Sequence, residues 1–151
     1  MSLLVEVQRA SEARDLPSDE DFTGWATAAL AGRRAHAELL IRIVDAAESA
    51  ELNAGYRGKH GPTNVLSFPF EAPPPVQSEL LGDLLICAPV VRREAVEQGK
   101  PEPAHWAHLV VHGCLHLLGF DHQDEVEAAA MERLEVEILG RLGYPDPYAA
   151  D

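Results

Sequence analysis

Short apolar runs along the chain predict four strands. Residues 3–7 alternate weakly between apolar and polar side chains, which predicts a first strand at the edge of a sheet. Residues 38–45 are apolar nearly throughout and rich in β-branched side chains, which favours a central strand. Two further strands are predicted at residues 63–70, where Pro69 ends the run, and at residues 80–87.

Longer segments with apolar residues at helical spacing predict five helices. Ser18, followed by acidic residues, predicts the start of the first helix, which should end near Gly32. The Asp-x-x-Glu pattern at Asp45 predicts the start of a second helix, which should end at Gly55. The other three helices are predicted to begin at Pro89, Pro103 and Asp124.

The order of these elements predicts an α+β fold. Residues 8–17 and 71–79 are predicted as surface loops, and the proline stretch in the second is too short for a domain boundary. The sequence contains no repeat and no heptad pattern. We therefore expect a single domain over residues 1–151, with a small mixed four-stranded sheet packed with about five helices.

The composition is that of a soluble globular protein with one core. Apolar residues make up 46% of the 151 residues and charged residues 25%, which is ordinary for such proteins. The two cysteines are too few for a disulfide framework and suit a reducing cytosol. The N-terminus lacks the basic start of a signal peptide, and no apolar run approaches the roughly 20 residues of a membrane span. We therefore expect no membrane association.

The net charge of −13 restricts how the chain can bind a polyanion. Such a charge argues against wholesale electrostatic binding of nucleic acid or anionic membrane, so a polyanionic substrate would need a local basic patch or a metal ion. Residues 56–62 form one basic segment. A guanidinium binds phosphate through two parallel hydrogen bonds, so Arg57, in a loop between glycines, is a candidate anion anchor. The alternative is a solvated loop charge.

Three histidines within eleven residues predict a metal site. His112 and His116 are four residues apart, which places both imidazoles on one face of a helix. Gly119 is suited to end that helix, so the returning chain can bring His122 to the same ion. Three protein ligands with an open fourth position are the arrangement of catalytic zinc. The pattern therefore predicts one Zn²⁺ at the C-terminus of a helix and the following turn.

The identity of the metal and the chemistry leave alternatives open. Imidazole also suits copper, iron and nickel, and Asp121 could complete a site of two histidines and one carboxylate for iron. Gly113 stands where zinc proteases with a His-Glu-x-x-His motif carry their general base, which disfavours a protease and leaves the base unassigned. Cys114 is expected to pack in the core, because it points away from the ligand face of the helix.

Three further residues near the motif allow both a functional and a structural interpretation, and a fourth only a structural one. Asp121 and Asp124 could orient the metal ligands, or they are a turn residue and a helix N-cap. His108, one turn before the first ligand, could approach the metal or the substrate, although a buried, hydrogen-bonded histidine is the favoured interpretation. His105 is expected at the surface.

Two stretches together resemble a known family. Residues 112–122, His-Gly-Cys-Leu-His-Leu-Leu-Gly-Phe-Asp-His, are similar to the signature of the YbeY endoribonucleases, the bacterial rRNA maturation factors. Leu-Asn-Ala-Gly-Tyr-Arg at 52–57 and Pro-Thr-Asn-Val-Leu-Ser-Phe-Pro at 62–69 resemble the family's second hallmark. Gly82-Asp83 and His108 also fit. The resemblance covers about residues 38–142.

The resemblance implies a cytoplasmic, zinc-dependent endoribonuclease specific for single-stranded RNA. The family acts in rRNA maturation, notably at the 3′ end of small-subunit rRNA, and in ribosome quality control. It therefore implies rRNA as substrate and the small ribosomal subunit or a ribosomal protein as partner. Carried over by position, the ligands of the single Zn²⁺ are His112, His116 and His122.

The resemblance also implies a cleft with cationic residues. Arg57 takes the position of the family's cleft arginine and becomes the expected catalytic and substrate-binding residue, with Lys59 and His108 as further candidate substrate contacts. Two positions depart from the family pattern. Asn64 stands where the family commonly has Asp, and residues 59–61 replace a segment that often carries an acid. If the family's Asp serves catalysis, the rate or the base is affected; if it fixes a turn or strand end, Asn64 can substitute.

Two other classes of function remain as rival hypotheses. The first is a non-catalytic ribosome assembly factor whose metal stabilises the fold. The second is another zinc hydrolase, such as a metallopeptidase, which Gly113 disfavours. The sequence predicts no oligomeric state.

Overall fold

The described residues contain four strands: β1 (Ser2–Ala10), β2 (His36–Val44), β3 (Val65–Pro69) and β4 (Leu80–Cys87). They form one mixed sheet in the order β1-β2-β4-β3. The structure is a computed structural model and describes residues 2–70, 79–121 and 123–149. Both β1 and β4 pair with β2 in parallel, whereas β3 pairs with β4 antiparallel, so β1 and β3 lie at the edges. The predicted mixed sheet is confirmed; residues 71–78 of the predicted proline-rich loop lie outside the described residues.

The described part of the chain contains five helices, as predicted. Ser18 caps the first helix: its hydroxyl accepts from the backbone N–H of Asp21, and the Asp21 carboxylate accepts from the N–H of Ser18. Asp124 caps the last helix by accepting from the N–H of Glu127 at 2.7 Å. The helices are α1 (Asp19–Leu30), α2 (Ala46–Arg57), α3 (Ala88–Glu97), α4 (Glu102–Leu117) and α5 (Glu125–Arg141).

Several element boundaries differ from the prediction by two or three residues, and two of these differences have a clear physical reason. Residues 8–10, expected in a loop, extend β1, because its parallel pairing with β2 continues to Ala10 opposite Val44. Helix α2 does not end at Gly55 but continues to Arg57, and Gly58 closes it in the left-handed conformation. An interior glycine such as Gly55 destabilises a helix by only about 1 kcal/mol. The helix therefore continues to Gly58, whose N–H bonds to the last carbonyls of the helix.

The two faces of the sheet bury separate apolar clusters. Leu39, Ile41 and Ile43 of β2 belong to the larger cluster, which includes residues of α1, α4 and α5. Val44 alternates to the other face and belongs to a smaller cluster with Leu85. In α4, 11 of the 16 residues are buried, so it is the core helix of the domain.

Gly82 permits the close approach of three elements at one point. Its φ of +149° is a conformation that side chains rarely adopt. A Cβ on Gly82 would lie 2.4 Å from the carbonyl oxygen of Phe68 and 2.8 Å from Cδ2 of Leu117. The missing side chain therefore allows β3 and the C-terminal end of α4 to pack directly on β4.

Within the described ranges, no helix combines the length and the apolarity needed to cross a membrane.

We expect Gly82→Ala to lower the free energy of unfolding by about 2–4 kcal/mol, because the new Cβ meets backbone and a packed leucine in a strained conformation. Urea unfolding of the purified variant measures this. Gly140→Ala is the matched control, since Gly140 lies in α5 with open space around its Cα. There we expect a gain of about 0.5–1 kcal/mol from helix propensity. Equal stability of the two variants would contradict the close-approach role of Gly82.

Candidate active site

A cleft of about 560 Å³ lies along the edge strand β3. The end of α2, strand β3 and the face of α4 that carries the histidines all contribute to it. The structure thus brings Arg57, His112 and His116, which the sequence placed in two separate motifs, to one cavity. The lining residues are Tyr56, Arg57, Thr63, Asn64, Val65, Ser67, Pro69, His112, His116, Asp121 and Gln123.

His112 and His116 lie on one face of α4, as predicted. Their ring centroids are 5.7 Å apart, and their side chains are 23% and 34% exposed, so both imidazoles are accessible from the cleft. The helix ends just before Gly119, whose φ is +105° and whose N–H bonds to the carbonyl of His116. The predicted third ligand, His122, lies outside the described residues. No group of three metal-binding side chains is present among the residues described, and the three-histidine site stays a prediction.

A buried carboxylate orients His112. The Nδ1–H of His112 donates to Oε1 of Glu135 at 2.8 Å, and Glu135 is fully buried. Since an ionised carboxylate can only accept, this contact calls for the proton on Nδ1, and Nε2 then carries the lone pair that a metal ion needs. A histidine bonded in this way to a carboxylate is the common form of a metal ligand in proteins. The donor set described here therefore fits a metal ion.

Glu135 accepts two more hydrogen bonds. The Nε2–H of His108 donates to Oε1 at 3.1 Å, and the hydroxyl of Tyr148 donates to Oε2 at 2.7 Å. Burial by itself raises the pKa of Glu135, but the bonds from His108, His112 and Tyr148 outweigh it and lower the pKa to about 2. The carboxylate is thus ionised, and burial together with the bond to this carboxylate raises the pKa of Tyr148.

Glu135 was not predicted as a site residue from the sequence. It follows Met131 by four residues and precedes Ile138 by three, and both of these are buried in the core. A charged residue on the apolar face of an amphipathic helix is the signal that could have singled it out.

The other two histidines of α4 do not line the cleft and instead bond to glutamates. His108 is 13% exposed, bonds to Glu135 and is not among the residues that line the cleft, which supports the buried, hydrogen-bonded interpretation. Its contact with substrate stays a prediction. The expectation of a surface position for His105 was wrong. It is buried with Nε2 2.9 Å from Oε1 of Glu94, because this face of α4 turns towards α3.

Gly113 and Cys114 face the interior. A Cβ on Gly113 would lie 2.7 Å from Cδ2 of Leu84 on β4, so this position faces the sheet and has no space for a glutamate. Cys114 is fully buried, and burial raises the pKa of its thiol to about 12, which confirms the predicted packing role.

Arg57 reaches the cleft from the end of a helix. We expected it in a loop between glycines, but it is the last residue of α2 and exposed to solvent. Lys59 is exposed as well and is not among the residues lining the cleft, so its contact with substrate stays a prediction. Asp121 lines the cleft with Oδ1 4.0 Å from Nε2 of His116, whereas Asp124 serves as the helix N-cap.

A comparison with protein families decides the relationship. The family model described as Endoribonuclease YbeY matches residues 7–143, which is most of the chain. This chain belongs to the YbeY family. The resemblance inferred from the two motifs is confirmed, and YbeY membership supports an endoribonuclease role in rRNA processing.

A solved structure supports the fold. The solution structure of TM1509 from Thermotoga maritima is similar with a TM-score of 0.59 at 21% sequence identity. The similarity covers 95% of this chain and 99% of that chain. At this identity the likeness concerns the arrangement of helices and strands alone.

The departure at Asn64 from the usual YbeY pattern has a structural basis. The side-chain oxygen of Asn64 accepts from the N–H of Val65 at 2.7 Å and so fixes the start of β3. Its amide nitrogen donates to Oε1 of Glu94 at 3.1 Å, the oxygen that also contacts His105. Asn64 therefore fixes the end of the strand. Its amide also donates a hydrogen bond to the carboxylate of Glu94, which an ionised aspartate at this position could not do.

We expect Asn64→Asp to lower the free energy of unfolding at pH 7 by about 1–3 kcal/mol, because a carboxylate replaces the donor beside Glu94. The like charge raises the folded-state pKa of the new aspartate. The loss should therefore shrink as the pH falls through that raised pKa towards the unfolded value near 4. Urea unfolding at pH 4–8 measures it.

Glu94→Gln supplies the control for this effect. In the double variant the repulsion is absent, so Asn64→Asp should cost clearly less on the Glu94→Gln background than on the natural one. An equal cost on both backgrounds would show that Glu94 is not the cause.

Proposed function

We propose that this YbeY family member is a zinc-dependent endoribonuclease that cleaves single-stranded RNA. The observation that carries the proposal is one cleft lined by Arg57, His112 and His116. Arg57, a cation suited to phosphate, and two imidazoles suited to a metal ion therefore line the same small cleft. We extend the proposal to a cytoplasmic role in maturation of small-subunit rRNA at its 3′ end and in ribosome quality control.

Three histidines would hold the metal. His112 is oriented by Glu135, His116 lies one turn further along the same face, and His122 follows the end of the helix in sequence. A bound Zn²⁺ would supply Lewis acidity that lowers the pKa of water to about 7 and neutralises charge on the scissile phosphate. His112 and His116 stand on a helix of the core, which keeps their positions rigid.

Arg57 would bind the phosphate of the substrate. Neither Arg57 nor Lys59 forms an ion pair with any residue that the structure describes, so no carboxylate there competes for the guanidinium. The planar guanidinium of Arg57 matches two phosphate oxygens. It would therefore position the RNA backbone and stabilise the added charge of the transition state. Among the described residues, the arginines paired with carboxylates include Arg9, Arg42, Arg92, Arg93 and Arg141.

The size of the cleft suits a single nucleotide. A volume of about 560 Å³ is in the range of a pocket for one small ligand, which accommodates one nucleotide and its phosphate. The net charge of −13 disfavours general attraction to RNA. A basic ribosomal protein or the small subunit as a partner would bring the substrate to the cleft in spite of that charge.

Two rival functions remain distinguishable by experiment. A metallopeptidase is disfavoured, because position 113 faces Leu84 and cannot present a general base to the cleft. A non-catalytic assembly factor requires that the metal stabilises the fold. Turnover of a peptide library without RNA cleavage would support the first, and binding to ribosomal subunits without cleavage would support the second.

We expect His112→Ala to abolish zinc-dependent cleavage of a labelled single-stranded RNA. Arg57→Ala should reduce the rate on the order of 100-fold, which is the usual loss when one donor to the transition state is removed. Arg57→Lys should fall between, because an ammonium keeps the charge but not the fork. Initial rates on the single strand and on a duplex of the same sequence measure these effects.

Arg133→Ala is the matched control for Arg57→Ala. Arg133 is an exposed arginine of α5 and does not line the cleft, so its removal should leave the rate unchanged. Cleavage by His112→Ala at the natural rate would refute the mechanism and indicate a contaminating nuclease.

We expect removal of zinc with a chelator to abolish cleavage while the protein stays folded. The core around α4 is built from apolar side chains of several elements, so we expect chelation to remove only the stabilisation that the bound ion itself contributes. Circular dichroism follows the fold, thermal unfolding follows the stability, and added Zn²⁺ should restore the rate. Unfolding on chelation would instead favour the assembly factor.

A further inference from the structure

We propose that Glu135, held by Tyr148 and His108, is a positioning residue that fixes the orientation and tautomer of His112 for metal binding. The inference rests on the proposed zinc site and names the residues that prepare it. Glu135 comes from α5 and Tyr148 from the segment after that helix, so the site depends on more than the histidine motif of α4.

The geometry of Glu135 is that of a support for a metal ligand. Oε1 accepts from His112 at 2.8 Å and from His108 at 3.1 Å, while Oε2 accepts from Tyr148 at 2.7 Å. Both oxygens are thus occupied, and the carboxylate cannot rotate without breaking a bond. His108 and Tyr148 hold the carboxylate in one orientation. The position of Oε1 is therefore fixed, and it fixes the direction in which the Nδ1–H of His112 points.

Stability alone does not account for a carboxylate at this position. Burial of an ionised group is costly, and an apolar side chain of similar size in a core is often neutral or stabilising by comparison. Met131 and Ile138, four residues before and three after Glu135 on α5, belong to the apolar core, so an apolar side chain would fit the pattern there. The carboxylate instead has two histidines of α4 as partners, which indicates a role for the helix that carries the site.

Tyr148 adds a support from outside the family match. The match with the family model ends at residue 143, and Tyr148 lies five residues further on. Its hydroxyl lies 3.2 Å from Nε2 of His108 and its ring is edge-on to the imidazole at 5.3 Å. The C-terminal segment therefore supplies the hydrogen-bond donor to Oε2 of Glu135 and a ring contact to His108.

The test measures the histidine and the metal rather than RNA cleavage. In the metal-free protein, long-range ¹H–¹⁵N spectra report which nitrogen of His112 is protonated. Zn²⁺ affinity is measured by competition with a chromophoric chelator, and thermal unfolding reports stability. The variants are Glu135→Gln and Tyr148→Phe. Tyr144→Phe is the matched control, a loss of one hydroxyl in the same C-terminal segment.

We expect His112 in the natural protein to be protonated at Nδ1. Glu135→Gln should mix the two tautomers and weaken Zn²⁺ binding about 10–100-fold, the usual effect of losing such a partner. Tyr148→Phe should shift both measurements in the same direction by less, and Tyr144→Phe should shift neither. A merely structural role would lower the unfolding temperature and leave the tautomer unchanged.

Unchanged tautomer and Zn²⁺ affinity in a folded Glu135→Gln protein would overturn the proposal. If that variant does not fold, equal affinities of Tyr148→Phe and Tyr144→Phe would overturn it instead. Both readouts are independent of the substrate. A natural protein that behaves as expected here but cleaves no RNA would refute the proposed function alone, whereas one that binds no Zn²⁺ would refute both.

Discussion

The close packing of α4 on the sheet is the constraint on which the cleft depends. Gly113 rests against Leu84 of β4, and Gly82 of β4 leaves room for Leu117 at the end of the same helix. At both points a single added methyl group would meet packed atoms. With this face of α4 held on the sheet, the neighbouring face, with His112 and His116, is directed to the cleft beside β3.

The buried charge of Glu135 connects the parts of the chain that this packing brings together. An ionised carboxylate in a core is tolerated only when donors surround it. Here the donors come from α4 and from the C-terminal segment, while Glu135 itself comes from α5. The same bonds that compensate its burial also fix His112. The network of Asn64, Glu94 and His105 repeats this arrangement with a neutral amide, and it ties the start of β3 to α3 and α4.

The electrostatics of the cleft contrast with those of the molecule as a whole. The chain carries a net charge of −13, and the arginines outside the cleft that form ion pairs are largely neutralised by carboxylates on the same surface. Arg57 stands at the end of α2 without such a pair in the described chain. Positive charge is thus available where a phosphate would meet the histidines, which suits selective rather than general binding of an anion.

The sequence by itself determined most of the helices and strands and the placement of two histidines on one face of a helix. Period and caps are local, so Ser18, Asp124 and the apolar run of β2 predicted their elements without tertiary information. The four-residue spacing of the two histidines on α4 is also a local feature of the sequence. Burial and pairing are not local. That position 113 faces a leucine, that Arg57 reaches the same cleft as His112, and that a glutamate 23 residues away orients this histidine were decided only by the tertiary structure. The physical reason is that each depends on the packing of α4 against elements distant in the chain.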